Sequence, residues 1–481
     1  MCIDPLFDCF ARIYTPAEAR AGANHEEARG GWHHDRPGHP PPPHDMSDTL
    51  ERTLDVRNLT LLVIGNVIGS GIFLVPAAVL AQSGESVPVA IAVWLVGGLL
   101  SLLGALSYAE LGGMDPGAGG LYAYIRDAFG SFPAFLYGWT LFFVIGSGTI
   151  AALCVAAGDY LTQFAPLSPM AKRMFALSLI LLMAVINVRG TRESAVVQNV
   201  ATGFKVLAIL SMSAVMFALG HGSTLPPVSH VVQPLTASGV GLSIIAVLWA
   251  YEGWQYVTFV AGEAKDPQRS IPRAIVWGTV ALILIYLIAN VGYLAALGVS
   301  RMAASDRVAG EAIAQVMGSA AGYLIASAII VSMYSAAHSA VITVPRVYFA
   351  MARDGVFFPQ MMRIHPTFGT PAFAIITSCA WAAILALSGT FEQLLTYVVF
   401  IGWIFYGLGA AAVIALRIKR PHAVRPFRVP GYPITPIVFI LAAAVIVLNT
   451  VISRPGQAVI GIGAVLLGAP AYVLWRRRAH R

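Results

Sequence analysis

Lys205, Glu252 and His338 are ionisable side chains set deep inside apolar runs, and charge at such depth is retained only where it meets a cavity or a partner. Glu252 stands in LWAYEGWQY, Leu248 to Tyr256, about a dozen residues into its run and just before Gly253. At 1.5 Å per residue that is close to the midplane of a bilayer. A second interruption lies roughly 180 residues earlier, in LVIGNVIGSGIFLVP, Leu62 to Pro76, where Gly65, Gly69 and Gly71 stand in place of the leucines of a simple anchor. Each glycine costs about 1 kcal/mol relative to alanine in a helix, so three of them, with Asn66 and Ser70 between, point to a segment that opens. Opening frees N–H and C=O groups at membrane depth, which is tolerable only where they line a cavity and a polar ligand satisfies them. The chemistry implied is recognition of a small polar molecule near the midplane. Glycines in membrane helices also serve close packing, and for the first motif alone that reading stays open. Two breaks at similar depth, one of them carrying a carboxylate, favour the binding site.

The elements that must position these residues are membrane helices. The chain is 57% hydrophobic and 11% charged, with a mean hydropathy of +0.74, which marks an all-α, multispan membrane protein. Twelve apolar runs, approximately 58–81, 88–113, 131–160, 172–188, 196–219, 238–261, 274–298, 320–350, 371–389, 392–417, 433–453 and 457–475, are each near or above the ~20 residues that a bilayer demands. Broken spans at corresponding places in two halves are the mark of an inverted-repeat transporter with its site between them. Spans one to five (about 58–219) form one repeat, six to ten (about 238–417) the other, and two peripheral helices (about 433–475) complete a transporter domain over 51–476.

The net charge of +7 is explained by location. One set of alternate loops and the C-terminus carries most of the basic residues, among them Arg126, Arg189, Lys265, Arg346, Arg417, Arg425 and the tail at 477–481; the opposite set carries only Lys172, Arg173, Arg301, Arg307 and Arg454. That asymmetry puts both termini in the cytoplasm and removes nucleic acid as an explanation of the charge; the membrane expected is the plasma (inner) membrane. Residues 1–50, rich in Pro, Gly and His, cannot build a core and read as a disordered cytoplasmic tail. Its His33, His34, His39 and His44 admit metal binding as a second reading, and Met46 is an alternative start. Cys2, Cys9, Cys154 and Cys379 give neither a disulfide framework nor a metal spacing. Met114–Gly130 reads as a glycine-rich polar segment, Ser300–Gly318 as outer helices, and RIKRPHAVRPFRVPGY, Arg417 to Tyr432, as a basic cytoplasmic loop.

NVIGSGIFLVP at 66–76, SYAELG at 107–112, WAYEGW at 249–254 with KDPQRSIPRAI at 265–275, and WIFYGL at 403–408 with RPFRVPGYPITP at 425–436 resemble the motifs of amino acid, polyamine and organocation permeases, most closely the L-type amino acid transporter group. The resemblance covers roughly Leu54 to Arg476 and implies a LeuT-like fold of ten core helices in two inverted repeats plus two peripheral ones, with helices 1 and 6 unwound at mid-membrane. It also implies that an α-amino acid lies between the unwound segments. Its carboxylate would meet Ser70, Gly71 and Ile72 at the positive end of a half-helix, and its ammonium the carbonyls near Asn66, Val67, Trp249, Ala250 and Glu252. Trp249 stands where the family uses an aromatic lid. Lys205 matches a lysine that takes the place of a coupling sodium ion, and so implies sodium-independent transport. Glu110 and Arg126 belong to the inner-face signature and set gate geometry.

Glu252 departs from the glycine or alanine of several neutral-substrate relatives: ionised it pairs with a cationic substrate, protonated it senses pH, and as a structural group it caps a broken helix. Gln255, about one turn after the break, is placed to touch a substrate side chain. His338 stands where asparagine is usual; it is either satisfied by Ser335, Ser339 or Thr343 or takes part in proton coupling. The loop from Leu161 to Ala171 has no cysteine and Cys154 lies within a span, so no disulfide-linked single-pass partner is expected, in contrast to the L-type relatives of animals. Paired catalytic carboxylates, a nucleophile elbow, a metal-ligand cluster within the spans and an ATP-binding loop are not found, which argues against an enzyme and against a bound cofactor and leaves gradients as the energy source. The expectation is secondary transport of neutral L-amino acids, by exchange, with cationic amino acid or polyamine antiport and proton symport as alternatives. A channel or sensor on the same fold is a third class that counterflow separates.

Overall fold

The computed structural model describes residues 51–224, 228, 232–389 and 391–479. The tail through residue 50, with its histidines, Cys2, Cys9 and the start at Met46, lies outside the described residues, as do His480 and Arg481 at the basic C-terminal end. Among the described residues the chain is helical, without a strand; the one extended contact is a bridge between Leu54 and Ala264. The order is α1 Val56–Val67, α2 Gly71–Gln82, α3 Val87–Met114, α4 Leu121–Phe129, α5 Ser131–Thr140, α6 Gly146–Tyr160, α7 Pro169–Arg189, α8 Thr191–Leu219, α9 Ala237–Ala250, α10 Pro267–Ala303, α11 Val308–Met317, α12 Ser319–Thr343, α13 Pro345–Arg353, α14 Ala372–Ser388, α15 Phe391–Lys419, α16 Ile434–Ser453, α17 Pro455–Leu466 and α18 Gly468–Ala479. Among the described residues nine helical stretches are long and apolar enough to cross a membrane, ten when α1 and α2 are taken together.

Local chemistry sets the ends that matter. Asp55 caps α1 by accepting from Asn58 N–H at 2.8 Å, and Thr236 caps α9 by accepting from Gly239 N–H at 3.0 Å. The runs expected at 58–81 and 238–261 are the ones that come apart. α1 and α2 meet at a 47° bend over Ile68–Ser70, and α9 gives way after Tyr251–Gly253 to a tight 3-10 helix, Trp254–Glu263. Gly253 has φ +125°, a conformation that only glycine adopts readily. The glycine-rich polar segment between Met114 and Gly130 contains the amphipathic α4, which buries Leu121, Tyr122, Tyr124 and Ile125. Its flanking glycines hide it in the sequence. Between Ser300 and Gly318 the chain is helical as expected: α10 kinks at Gly298 and its last turn runs to Ala303, and α11 follows.

α10 is a central strut, packed along α3, α1 and α8. At the end where the basic loops gather, ion pairs fasten the elements. Arg346 of α13 and Glu263 are fully buried and paired at 2.7 Å, with Thr191 accepting from the same guanidinium at 2.9 Å. Glu110 of α3 accepts from Arg417 at 2.5 Å and from the Val429 N–H at 2.7 Å, and so docks the 417–432 segment. Arg126 of α4 pairs with Asp354 at 2.5 Å. Leu54 exchanges backbone hydrogen bonds with Glu263 O (2.9 Å) and Lys265 N (2.7 Å), tying the entry to α1 to the end of the second break. Glu110 and Arg126 thus serve these ties, away from the cavity described next.

Candidate functional site

The two breaks face each other across one cavity. Its walls are Asn66, Val67, Gly69, Ser70 and Gly71 from the first break, Trp249, Ala250, Glu252, Gly253 and Tyr256 from the second, and Thr149, Ala152, Leu153, Ala336 and Val398 from α6, α12 and α15; the empty space among them, open solvent included, is ≈ 610 Å³. Glycine lets the breaks approach: a Cβ on Gly71 would lie 2.7 Å from Ala250 Cβ, and one on Gly253 3.0 Å from the Asn66 carbonyl. Seven of the nine sequence-expected contact residues, Asn66, Val67, Ser70, Gly71, Trp249, Ala250 and Glu252, line this space. Ile72 is buried and is not part of this wall, although its N–H belongs to the first turn of α2. Gln255 is not part of it either. Its side chain turns back to accept from Gly253 N–H at 3.2 Å, because the tight winding after Gly253 rotates it behind the break.

The polar groups are arranged by sign. The N–H groups of Gly71 and Ile72, which open α2, have no partner within the helix, and the helix dipole adds partial positive charge there; the Phe73 N–H donates to Ser70 O at 3.1 Å. Beside them Ser70 Oγ is buried without a hydrogen-bond partner. Across the cavity Glu252 accepts from Tyr406 O–H at 2.8 Å through Oε1, while Oε2 is buried and unpartnered. An anionic group is therefore favoured at α2 and a cationic or hydrogen-bond-donating group near the α1 and α9 carbonyls and Glu252. Trp249 is common to this cavity and to a larger one of ≈ 1360 Å³ of empty space that runs past Gln82, Thr396 and Phe400 to Arg454.

Lys205 stands behind the first break, fully buried, and donates to Gly65 O at 2.7 Å and Ile68 O at 2.6 Å. Ser332 of α12 adds bonds to Ile68 O and Gly69 O, each 3.1 Å. His338 is buried, but its neighbour is none of the expected hydroxyls. Nδ1 lies 3.3 Å from Gln198 Oε1 of α8, Gln198 in turn donates to Thr202 and Ser335, and Nε2 has no partner. The hydroxyls of Ser335 and Thr202 are taken up by Gln198, which leaves the imidazole to the amide.

Sequence reading missed the α6 wall, Tyr256, Tyr406 and Gln198. Thr149, Ala152 and Leu153 recur at helical spacing in a run of small residues, which is a usable signal; Tyr406 sits in the WIFYGL motif but has nothing local that ties it to Glu252. Cys154 and Cys379 are both buried as free thiols.

Comparison with known proteins bears on what the cavity holds. The family model described as amino acid permease matches residues 54–467. The chain is 32% identical to the serine/threonine exchanger SteT of Bacillus subtilis, over 90% of this chain and 99% of that protein. It is 32% identical to the human large neutral amino acids transporter small subunit 2, over 88% of this chain and 80% of the relative, and 30% identical to the mouse b(0,+)-type amino acid transporter 1, over 85% and 84%.

Proposed function

The chain belongs to the amino acid permease family, and from that premise we propose that it exchanges neutral L-α-amino acids across the plasma membrane by alternating access, independently of sodium. The observation that carries the reading is the polarity of the cavity. The N–H groups of Gly71 and Ile72 at the start of α2 and the carbonyls of Val67 and Ala250 offer opposite partial charges to the two ends of a zwitterion. Carboxylate contact falls to Ser70, Gly71 and the Ile72 N–H, ammonium contact to the backbone carbonyls near Asn66, Val67, Trp249, Ala250 and Glu252, which leaves the Glu252 carboxylate to the substrate side chain. Trp249, between the two cavities, is the lid on the outer side. Twelve spans follow if α1 with α2, and α9 with Trp254–Glu263, each count as one and the shorter α14 is added; spans one to five and six to ten are then the inverted repeats, with both termini cytoplasmic. The family supports transport and not catalysis. Cys154, buried in α6, is not offered to a disulfide-linked partner.

Counterflow in proteoliposomes tests the reading. Preloading with unlabelled amino acid is expected to accelerate uptake of the same labelled amino acid, and a panel of twenty competitors gives the side-chain range. Uptake indifferent to preloading sinks exchange.

One observation favours a second substrate class. Glu252 presents a buried, unpartnered carboxylate oxygen to the cavity, which suits the cationic side chain of arginine or lysine. A charge-assisted hydrogen bond contributes about 1.5–3 kcal/mol, so Glu252→Gln is expected to weaken competition by arginine and lysine by roughly 10- to 100-fold while neutral amino acids change little. Equal loss in both classes assigns Glu252 to the frame of the break, through Tyr406.

A further inference from the structure

We propose that Tyr286 is a positioning residue that holds one carbonyl from each chain break in the geometry that receives the substrate ammonium, and links the two breaks through that contact. This rests on the reading of the cavity as an amino acid site. Tyr286 belongs to α10 and is fully buried, outside the cavity wall. Its hydroxyl lies 3.1 Å from Val67 O, at the end of α1, and 3.1 Å from Ala250 O, at the end of α9. Among the described residues the other side-chain bonds to break-one carbonyls, from Lys205 and Ser332, reach that break alone.

The ring has little freedom. Trp94 meets it edge-on at 5.7 Å and 86°, and Tyr251, the residue after Ala250, lies against it at 4.9 Å. A phenol has one hydrogen, so the two carbonyls share it and neither is fully satisfied. Val67 O also accepts from Gly69 N–H at 2.8 Å. The opening for an ammonium is therefore at Ala250 O. Once that carbonyl accepts from the substrate, the phenol hydrogen bond turns wholly onto Val67 O. Arrival of the ammonium at the second break is thus registered at the first, with no covalent step and no proton transfer.

The test uses the full-length protein in proteoliposomes, wild type and Tyr286→Phe, which keeps the ring and its contacts with Trp94 and Tyr251. Competitors are L-leucine and 2-hydroxyisocaproate, its 2-hydroxy analogue without the ammonium, or the strongest neutral substrate of the wild-type panel with its own 2-hydroxy analogue. Tyr286→Phe is expected to cut the preference for the amino acid over the hydroxy acid about tenfold, through a higher KM and with a smaller change in kcat. Melting of the purified variant, followed by loss of monodispersity, should stay close to wild type. An equal loss for both competitors, or no loss, overturns the proposal, and so does a variant that cannot be recovered folded, since the hydroxyl is then a structural requirement. Wild-type protein that exchanges no amino acid overturns the underlying reading instead, before any variant is assayed.

Discussion

Gly71→Val is expected to abolish exchange while the protein still inserts and purifies as a monodisperse species. The reason is the distance between the breaks. A Cβ at Gly71 would sit 2.7 Å from Ala250 Cβ and 2.8 Å from Ala250 Cα, with Trp249 Cζ3 at 3.5 Å. Two of these three atoms are fixed to the backbone of α9, so relief requires α2 to move away from α9. That movement displaces the N–H groups at the start of α2 from the carbonyls they face, and a shift of about 1 Å in a site of this kind costs on the order of 100-fold. The γ-carbons of valine add bulk on the cavity side, where a carboxylate would approach. Counterflow checks activity, and size-exclusion profiles with surface labelling check insertion.

A comparison inside the same break separates this from general crowding. At Gly69 a Cβ would meet only Leu153 Cδ2 at 3.4 Å and Ala336 Cβ at 3.5 Å, which are ordinary contacts. Gly69→Ala should therefore keep most of the exchange activity that Gly71→Val loses. Transport by Gly71→Val at the wild-type rate contradicts the site between the breaks.

The breaks were legible because each carries its cause locally: glycines at 65, 69 and 71, and Glu252 with Gly253. The glycines, however, divide their roles in a way that no single sequence shows. A Cβ on Gly65 would fall 2.1 Å from Gln198 Nε2 and 2.5 Å from Thr202 Oγ1, so Gly65 serves close approach to α8, while Gly71 serves the crossing of the breaks. The packing reading and the opening reading both apply, at different residues. Gln255 was misplaced because counting one turn past the break assumes α-helical rotation, whereas Gly253 at φ +125° and the 3-10 winding after it turn the side chain inward. Tyr286, Tyr406 and Gln198 were out of reach for another reason. Tyr286 bonds to residues 219 and 36 positions away, Tyr406 and Gln198 to residues 154 and 140 positions away, and only the packed fold joins them. The α4 helix was lost to its flanking glycines, and the partner of His338 to the assumption that a neighbour on its own helix would serve.

Removing the ammonium of Lys205 is expected to bring exchange to within a few per cent of background, with a smaller effect on substrate binding from the outer side. Lys205 Nζ holds Gly65 O and Ile68 O, the carbonyls on the α1 side of the first break, and charge-assisted bonds of this kind contribute about 1.5–3 kcal/mol each. In Lys205→Ala both carbonyls lose that partner in a dry interior, and the tie between α8 and the α1 end is gone; Ser332 still reaches Ile68 O and Gly69 O, which gives the outer part of the break a remaining anchor. Lys205→Met, which keeps most of the volume without the charge, should fail as Lys205→Ala does if the charge is what matters. Recovery in Lys205→Met assigns Lys205 to space filling. A fixed cation on these carbonyls also makes a sodium ion there unnecessary and repelled, with roughly 4 kcal/mol of repulsion at 4 Å even at an effective dielectric constant of 20. Wild-type uptake is therefore expected to be unchanged when sodium is replaced by choline at constant pH. Uptake that collapses under that replacement would overturn both the sodium independence and the part assigned to Lys205.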